Sequence, residues 1–105
     1  MKIVIIGQGY VGSALSIAAL KSGHTVIGFD TNPKVISGMK EKNLESSNYQ
    51  VTNSEADITD KEVYIIAVPT PLDQNNLPDL SYLKQASILI ARAATKGALV
   101  INEST

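Results

Sequence analysis

Cysteine is absent from the 105 residues. Its absence excludes a disulfide framework, a thiolate zinc site and a cysteine nucleophile within this chain; no other metal site is read from the sequence. Arginine occurs once, at Arg92, and histidine once, at His24. The nine Lys and Arg residues are scattered and the formal net charge is −1, which argues against nucleic acid as a partner. No apolar run approaches the roughly 20 residues that cross a bilayer, and no charged-then-apolar leader opens the chain. The expectation is a soluble, cytoplasmic protein with no membrane partner. A chain this long holds one domain, burying roughly two thirds of its unfolded surface, with no room for a second.

Strand and helix signals alternate from the first residues. Residues 3–6 are a short β-branched run closed by Gly7, as in a strand buried on both faces of a parallel sheet. Helical spacing follows through Val11, Leu15, Ala18 and Ala19, ending near Ser22 with Gly23 placed for a left-handed cap. Residues 25–29 predict a second strand ending at Asp30. Asn32-Pro33 then supplies a cap and a first-turn proline for a helix to about Lys42. Residues 43–48 are polar and turn-prone, residues 49–52 suit a brief strand, and residues 54–60 suit a helical turn. Residues 63–68 predict a strand stopped by Pro69-Thr70-Pro71. A polar loop leads to Asp79, which is expected to cap a long helix. That helix would align Leu80, Leu83, Ser87, Ile90, Ala91 and Ala94 on one face and close at Gly97. Residues 98–101 make the last strand. Alternation at these lengths predicts an α/β fold: a Rossmann-type, doubly wound, open parallel sheet of five strands in the order 3-2-1-4-5.

Gly7-Gln8-Gly9-Tyr10-Val11-Gly12 fits G-x-G-x-x-G between a predicted strand and a predicted helix. Gly7 permits the tight turn, Gly9 lets a pyrophosphate approach the backbone, and Gly12 lets helix and strand pack closely. The helix amino terminus adds free N–H donors and positive potential, so no basic patch is needed. Asp30 stands at the end of the second strand, where a carboxylate accepts hydrogen bonds from ribose hydroxyls and repels a 2′-phosphate. NAD is therefore expected as the cofactor in preference to NADP, with Lys34 the one nearby cation that argues the other way. Tyr10 and Gln8 are weaker candidates, Tyr10 suiting a packing role as readily as a ligand contact. His24 falls in a turn at the sheet edge opposite the cofactor crevice and reads as a surface residue.

In such a sheet, ligands sit beyond the carboxyl ends of the strands, where strand order reverses. The glycine loop, residues 68–71 and residues 102–105 converge there. At this point the sequence resembles the UDP-glucose/GDP-mannose dehydrogenase family. The resemblance is carried by Gly7 to Gly12 with Tyr10-Val11, by Val68-Pro69-Thr70-Pro71-Leu72-Asp73, by Pro78-Asp79-Leu80-Ser81-Tyr82-Leu83 and by Glu103-Ser104-Thr105. It spans most of the chain in order.

The resemblance implies a cytoplasmic dimeric enzyme that oxidises the C6 alcohol of a nucleotide sugar to a carboxylate, using two NAD and a cysteine thioester. Carried over by position, Asp30 resembles the ribose-binding acid, with Val68, Pro69, Thr70, Glu103 and Ser104 on the cofactor. Thr105 resembles the catalytic threonine that orients water or a substrate oxygen, a role a hydroxyl performs without a shifted pKa. A basic residue usual in the family falls at Val35, so Lys34 stands one place early for a ribose contact. A long segment with Glu-Pro-Gly-Leu is replaced by the shorter residues 43–53. Glu103, Leu72 and Pro78-Asp79-Leu80-Ser81 resemble the UDP-N-acetylhexosamine branch more than the UDP-glucose branch.

Two other readings stay open. An NAD-sensing module of potassium-channel type shares the first strand, glycine loop and acid, but has no need of Pro69-Thr70-Pro71 or of the Ser104-Thr105 hydroxyls. A β-hydroxyacid dehydrogenase shares the amino-terminal fold and takes its lysine from a later domain. The ending inside a motif aimed at the cofactor suggests a piece of a longer protein, lacking a central helix and a substrate domain. Such a piece is expected to be inactive alone and to bind NAD weakly.

Overall fold

The computed structural model describes residues 1–41 and 46–104. Five strands form one all-parallel sheet in the order β3-β2-β1-β4-β5, as expected. They are β1 (Lys2–Ile6), β2 (Thr25–Phe29), β3 (Tyr49–Thr52), β4 (Val63–Ile66) and β5 (Leu99–Asn102). Three helices connect them, α1 (Tyr10–Lys21), α2 (Pro33–Glu41) and α3 (Ser81–Ala93), with a 3-10 turn at Glu55–Ile58 before β4.

Residues alternate across a strand, so β1 feeds both faces of the sheet. Val4 and Ile6 join Phe29, Ile58, Tyr64, Leu89 and Ile90 on the face covered by α3. Ile3 and Ile5 join Val26, Ile36, Met39 and Val51 on the face covered by α1 and α2. Val4, Ile5 and Val26 have no exposed surface, each contributing about 1.5–3 kcal/mol of apolar burial.

The caps follow local chemistry. Asn32 Oδ1 accepts the Lys34 N–H at 3.0 Å, with Pro33 in the first turn of α2. Gly23, at φ +87°, turns the chain out of α1 after Ser22. Lys42 and residues 43–45 of the expected turn lie outside the described residues.

Four expectations are corrected. Strand β4 ends at Ile66 rather than Val68, although Ala67 N–H still donates to Ile6 O at 2.8 Å; the chain then turns towards Pro69 and leaves the ladder. Ala18 is exposed, and α1 instead buries Gly12 and Ser16, because the closest helix-to-sheet approach runs through the small residues. Helix α3 buries Ala86, Leu89, Ile90 and Ala93, while Leu80, Ser87 and Ala91 face out. Leu80 precedes the first helical turn, so counting from it rotates the stripe away from the sheet. Finally, α3 closes at Ala94, whose N–H reaches Ile90 O at 2.8 Å, and Gly97 belongs to the turn before β5.

Candidate functional site: a cleft at the carboxyl ends of the strands

The carboxyl ends of β1, β2, β4 and β5 open into a cleft of about 870 Å³. Gly7, Gly9, Tyr10 and Val11 form one wall, with Asp30 at the end of β2, Val68 and Pro69 beyond β4, and Glu103 beyond β5. The three segments that the sequence brings together thus converge.

The glycine loop is shaped by close contact. Gly7 has φ +97°, and a Cβ there would sit 2.6 Å from Ala67 O. A Cβ at Gly12 would sit 1.6 Å from Gly7 O, so no larger residue fits. A Cβ at Gly9, by contrast, would meet no protein atom within 4 Å: its bareness keeps space open on the cleft side. No side chain caps α1, and its first turn holds no acid, which leaves first-turn N–H groups facing the cleft, suited to an anionic group.

Asp30 is fixed on both oxygens. Oδ2 accepts the Gln8 N–H at 2.9 Å and Oδ1 accepts the Asn32 N–H at 2.9 Å. Each oxygen keeps a lone pair for a further donor such as a sugar hydroxyl. Tyr10 is 93 % exposed at the rim, which removes the packing role considered for it.

The loop after β4 is tied by Asp73, whose Oδ1 accepts the N–H groups of Asn75 (2.8 Å) and Leu77 (3.0 Å). Leu72 bridges Pro78, and Asp79 N–H reaches Pro71 O at 2.7 Å. Asp79 does serve the start of α3, from one residue behind the helix flank Leu80: its Oδ1 accepts the Ser81 N–H at 2.9 Å. This bond, with help from the Ser81 hydroxyl, holds the Asp79 carboxyl below its ordinary pKa.

Not every candidate lines the cleft. Gly12 is buried behind the loop, and Lys34 is exposed on α2, with Val35 taking the lining position. Thr70 and Ser104 stand just beyond the lining residues Pro69 and Glu103. Ser104 Oγ is the one buried side-chain nitrogen or oxygen without a partner among the described residues. Thr105 lies outside the described residues. His24 is half-buried and precedes β2, at the sheet end away from Asp30, so it lies opposite the cleft as expected.

The far end of the cleft was not legible beforehand. Gln85, Ala86 and Leu89 of α3 line it with Glu55 and Arg92, and Arg92 Nη2 pairs with Glu55 Oε1 at 2.5 Å. These partners lie 37 residues apart, and nothing local signals their meeting.

A parallel doubly wound sheet with a bare glycine loop, an uncapped helix start and an acid at the end of β2 has the architecture of a dinucleotide-binding domain. The family model for the UDP-glucose/GDP-mannose dehydrogenase family, NAD binding domain, matches residues 1–46 and 38–105. The chain belongs to that family, as its NAD-binding domain. Among curated relatives, it is 36 % identical over 120 residues to the UDP-N-acetyl-D-mannosamine dehydrogenase of Pyrococcus horikoshii, covering 100 % of this chain and 28 % of that protein. It is 38 % identical over 116 residues to the UDP-N-acetyl-D-glucosamine 6-dehydrogenase of Salmonella typhi, covering 100 % of this chain and 27 % of the relative. The solved structure of the Pyrococcus horikoshii UDP-D-ManNAc dehydrogenase superposes with a TM-score of 0.88 at 34 % identity, over 100 % of this chain and 28 % of that one. The chain thus spans about a quarter of the length of these relatives. Family membership sets aside the sensor and β-hydroxyacid readings.

Proposed function

We propose that this domain serves an NAD-dependent 6-dehydrogenase acting on a UDP-N-acetylhexosamine, in preference to UDP-glucose. The observation that carries the reading is alignment over the whole of this chain to two curated UDP-N-acetylhexosamine dehydrogenases joined to a cleft suited to a dinucleotide. The residues fit that cofactor: Gly9 leaves open space, the first turn of α1 is uncapped, and Ser104 Oγ is buried without a partner.

In this reading the α1 amino terminus and the Gly7 to Gly12 loop hold the pyrophosphate. Asp30 accepts the adenosine ribose hydroxyls and turns away a 2′-phosphate by charge. Tyr10 and Val11 flank the loop. Val68, Pro69 and Thr70 wall the side nearer the reacting end, with Glu103 and Ser104 beside them after the neighbouring strand β5, and Thr105 orients a substrate oxygen. Lys34 contributes nothing to the ribose. Bound NAD supplies the hydride acceptor for the alcohol carbon. With no cysteine in these residues, the chain provides the cofactor side of the reaction and is inactive alone. The whole enzyme is read as cytoplasmic and homodimeric; among the described residues, no helix is long and apolar enough to cross a membrane.

The test is NADH formation by the full-length protein with UDP-N-acetylglucosamine, UDP-N-acetylmannosamine and UDP-glucose. Turnover with either N-acetylated sugar supports the reading; turnover with UDP-glucose alone rejects it.

A further inference from the structure

We infer that Gln8, the variable second position of the glycine motif, is a positioning residue for the cofactor loop, acting through a buried hydrogen-bonded peg with Ser16 and Tyr49. This rests on the NAD reading above and extends it to side chains packed beneath the loop.

The peg is visible in every direction the side chain points. Gln8 is 3 % exposed, and its amide turns inward beneath the loop. Nε2 donates to Ile5 O and to Gly7 O, both at 3.2 Å. Oε1 accepts the Tyr49 hydroxyl at 2.6 Å and the Ser16 hydroxyl at 3.2 Å. Both donors of the amide are thereby used and its oxygen takes the Tyr49 proton, while the single Ser16 proton is shared with Gly12 O at 2.9 Å. Ser16 and Tyr49 are themselves buried, at 0 % and 2 % exposure.

The amide thus joins β1, α1 and β3 at one point. β2 makes room for it: a Cβ at Gly28 would lie 2.5 Å from the Gln8 amide carbon. A glycine inside an otherwise apolar strand marks such a close approach.

The backbone of the same residue reaches Asp30, which lines the cleft. The Gln8 N–H holds Asp30 Oδ2 at 2.9 Å, while its side chain holds the carbonyl of Gly7, the residue that turns the loop. Gln8 therefore couples the pyrophosphate loop to the ribose acid. Anchoring the amide inside the core fixes both before any ligand arrives, which lowers the ordering cost of binding. Buried polar groups that are fully satisfied rigidify their surroundings in this way.

The experiment compares two tyrosines that each lose only a buried hydroxyl. Tyr49→Phe removes a donor to Gln8. Tyr64→Phe removes a hydroxyl that donates to Ile58 O at 2.6 Å and accepts the Lys61 N–H at 3.1 Å, on the α3 face and apart from the loop. Gln8→Met, similar in shape and without an amide, is the stronger variant. NAD affinity is measured by titration calorimetry and folding by the thermal midpoint in circular dichroism. Both Tyr variants are expected to lower the midpoint, while only Tyr49→Phe and Gln8→Met weaken NAD, by about tenfold. Should Gln8→Met not fold, Tyr49→Phe against Tyr64→Phe still decides. Affinity in Tyr49→Phe within about twofold of the unsubstituted protein overturns the positioning role, as does an equal loss in Tyr64→Phe. If the unsubstituted protein itself does not bind NAD, the roles given to the glycine loop and Asp30 in these residues fall, and the positioning role with them.

Discussion

Asp30 shows how neighbours fix one side chain in place. A carboxylate at a strand end is free to rotate unless both oxygens are held, and here Gln8 and Asn32 hold them through backbone N–H groups. Asp30→Ala is expected to weaken NAD about tenfold or more, the scale of hydrogen bonds to a charged group, and to erase discrimination against NADP. Parallel calorimetric titrations with the two dinucleotides check it. Gly12 makes a different demand. Its missing Cβ is required by Gly7 O at 1.6 Å, and backbone cannot step aside as a flexible side chain does. Gly12→Ala is therefore expected to cost about 2–4 kcal/mol in urea unfolding, at the large end for a single substitution. Residue identity told much of this in advance, since the motif spacing marks which glycines matter. It did not tell that Gln8 faces inward, because its partners Ser16, Gly28 and Tyr49 lie on three other elements.

Among the elements, α3 has the most to explain. Its sequence has two plausible apolar stripes, and the one beginning at Leu80 loses because the helix starts at Ser81 and meets the sheet through Ala86, Leu89, Ile90 and Ala93. The start is set by Asp79, whose carboxylate accepts the Ser81 N–H. Because that bond depresses the folded-state pKa of Asp79, the unfolded chain binds the proton more readily. Its stabilisation is present above the ordinary carboxylate pKa and is lost as pH falls through the acid range below about 4. Asp79→Asn keeps an acceptor and removes the titration. Acid unfolding followed by circular dichroism should therefore be shallower in the variant than in the parent across that range. At the opposite end of α3, Arg92 pairs with Glu55 at the far end of the cleft with both side chains more than half exposed, at 59 % and 52 %. Such a pair adds less than about 1 kcal/mol, so Arg92→Ala should leave the urea midpoint nearly unchanged.

For the whole molecule, the sheet is a layer between two cores, and the cleft exists because the strand order reverses between β1 and its neighbours β2 and β4. The helices that begin at this edge, α1 and α2, start beyond β1 and β2, so their amino termini and the β2 acid are brought to one place by topology. A ligand held there contacts only the folded state. NAD at a hundredfold excess over its dissociation constant is thus expected to add about 2.7 kcal/mol of stability, read as a rise in thermal midpoint that NADP does not reproduce.

The sequence by itself determined the five strands, the helices between them, the parallel order and the glycine loop with its acid. Each of these rests on signals within a few residues: apolar periodicity, proline and glycine punctuation, and the spacing of a motif. The tertiary structure alone decided which face of α3 is buried, that Gln8 is anchored by Ser16 and Tyr49, and that Glu55 and Arg92 meet at the cleft. Those outcomes depend on contacts between residues far apart in the chain, where packing distance and hydrogen-bond satisfaction select among locally equivalent arrangements.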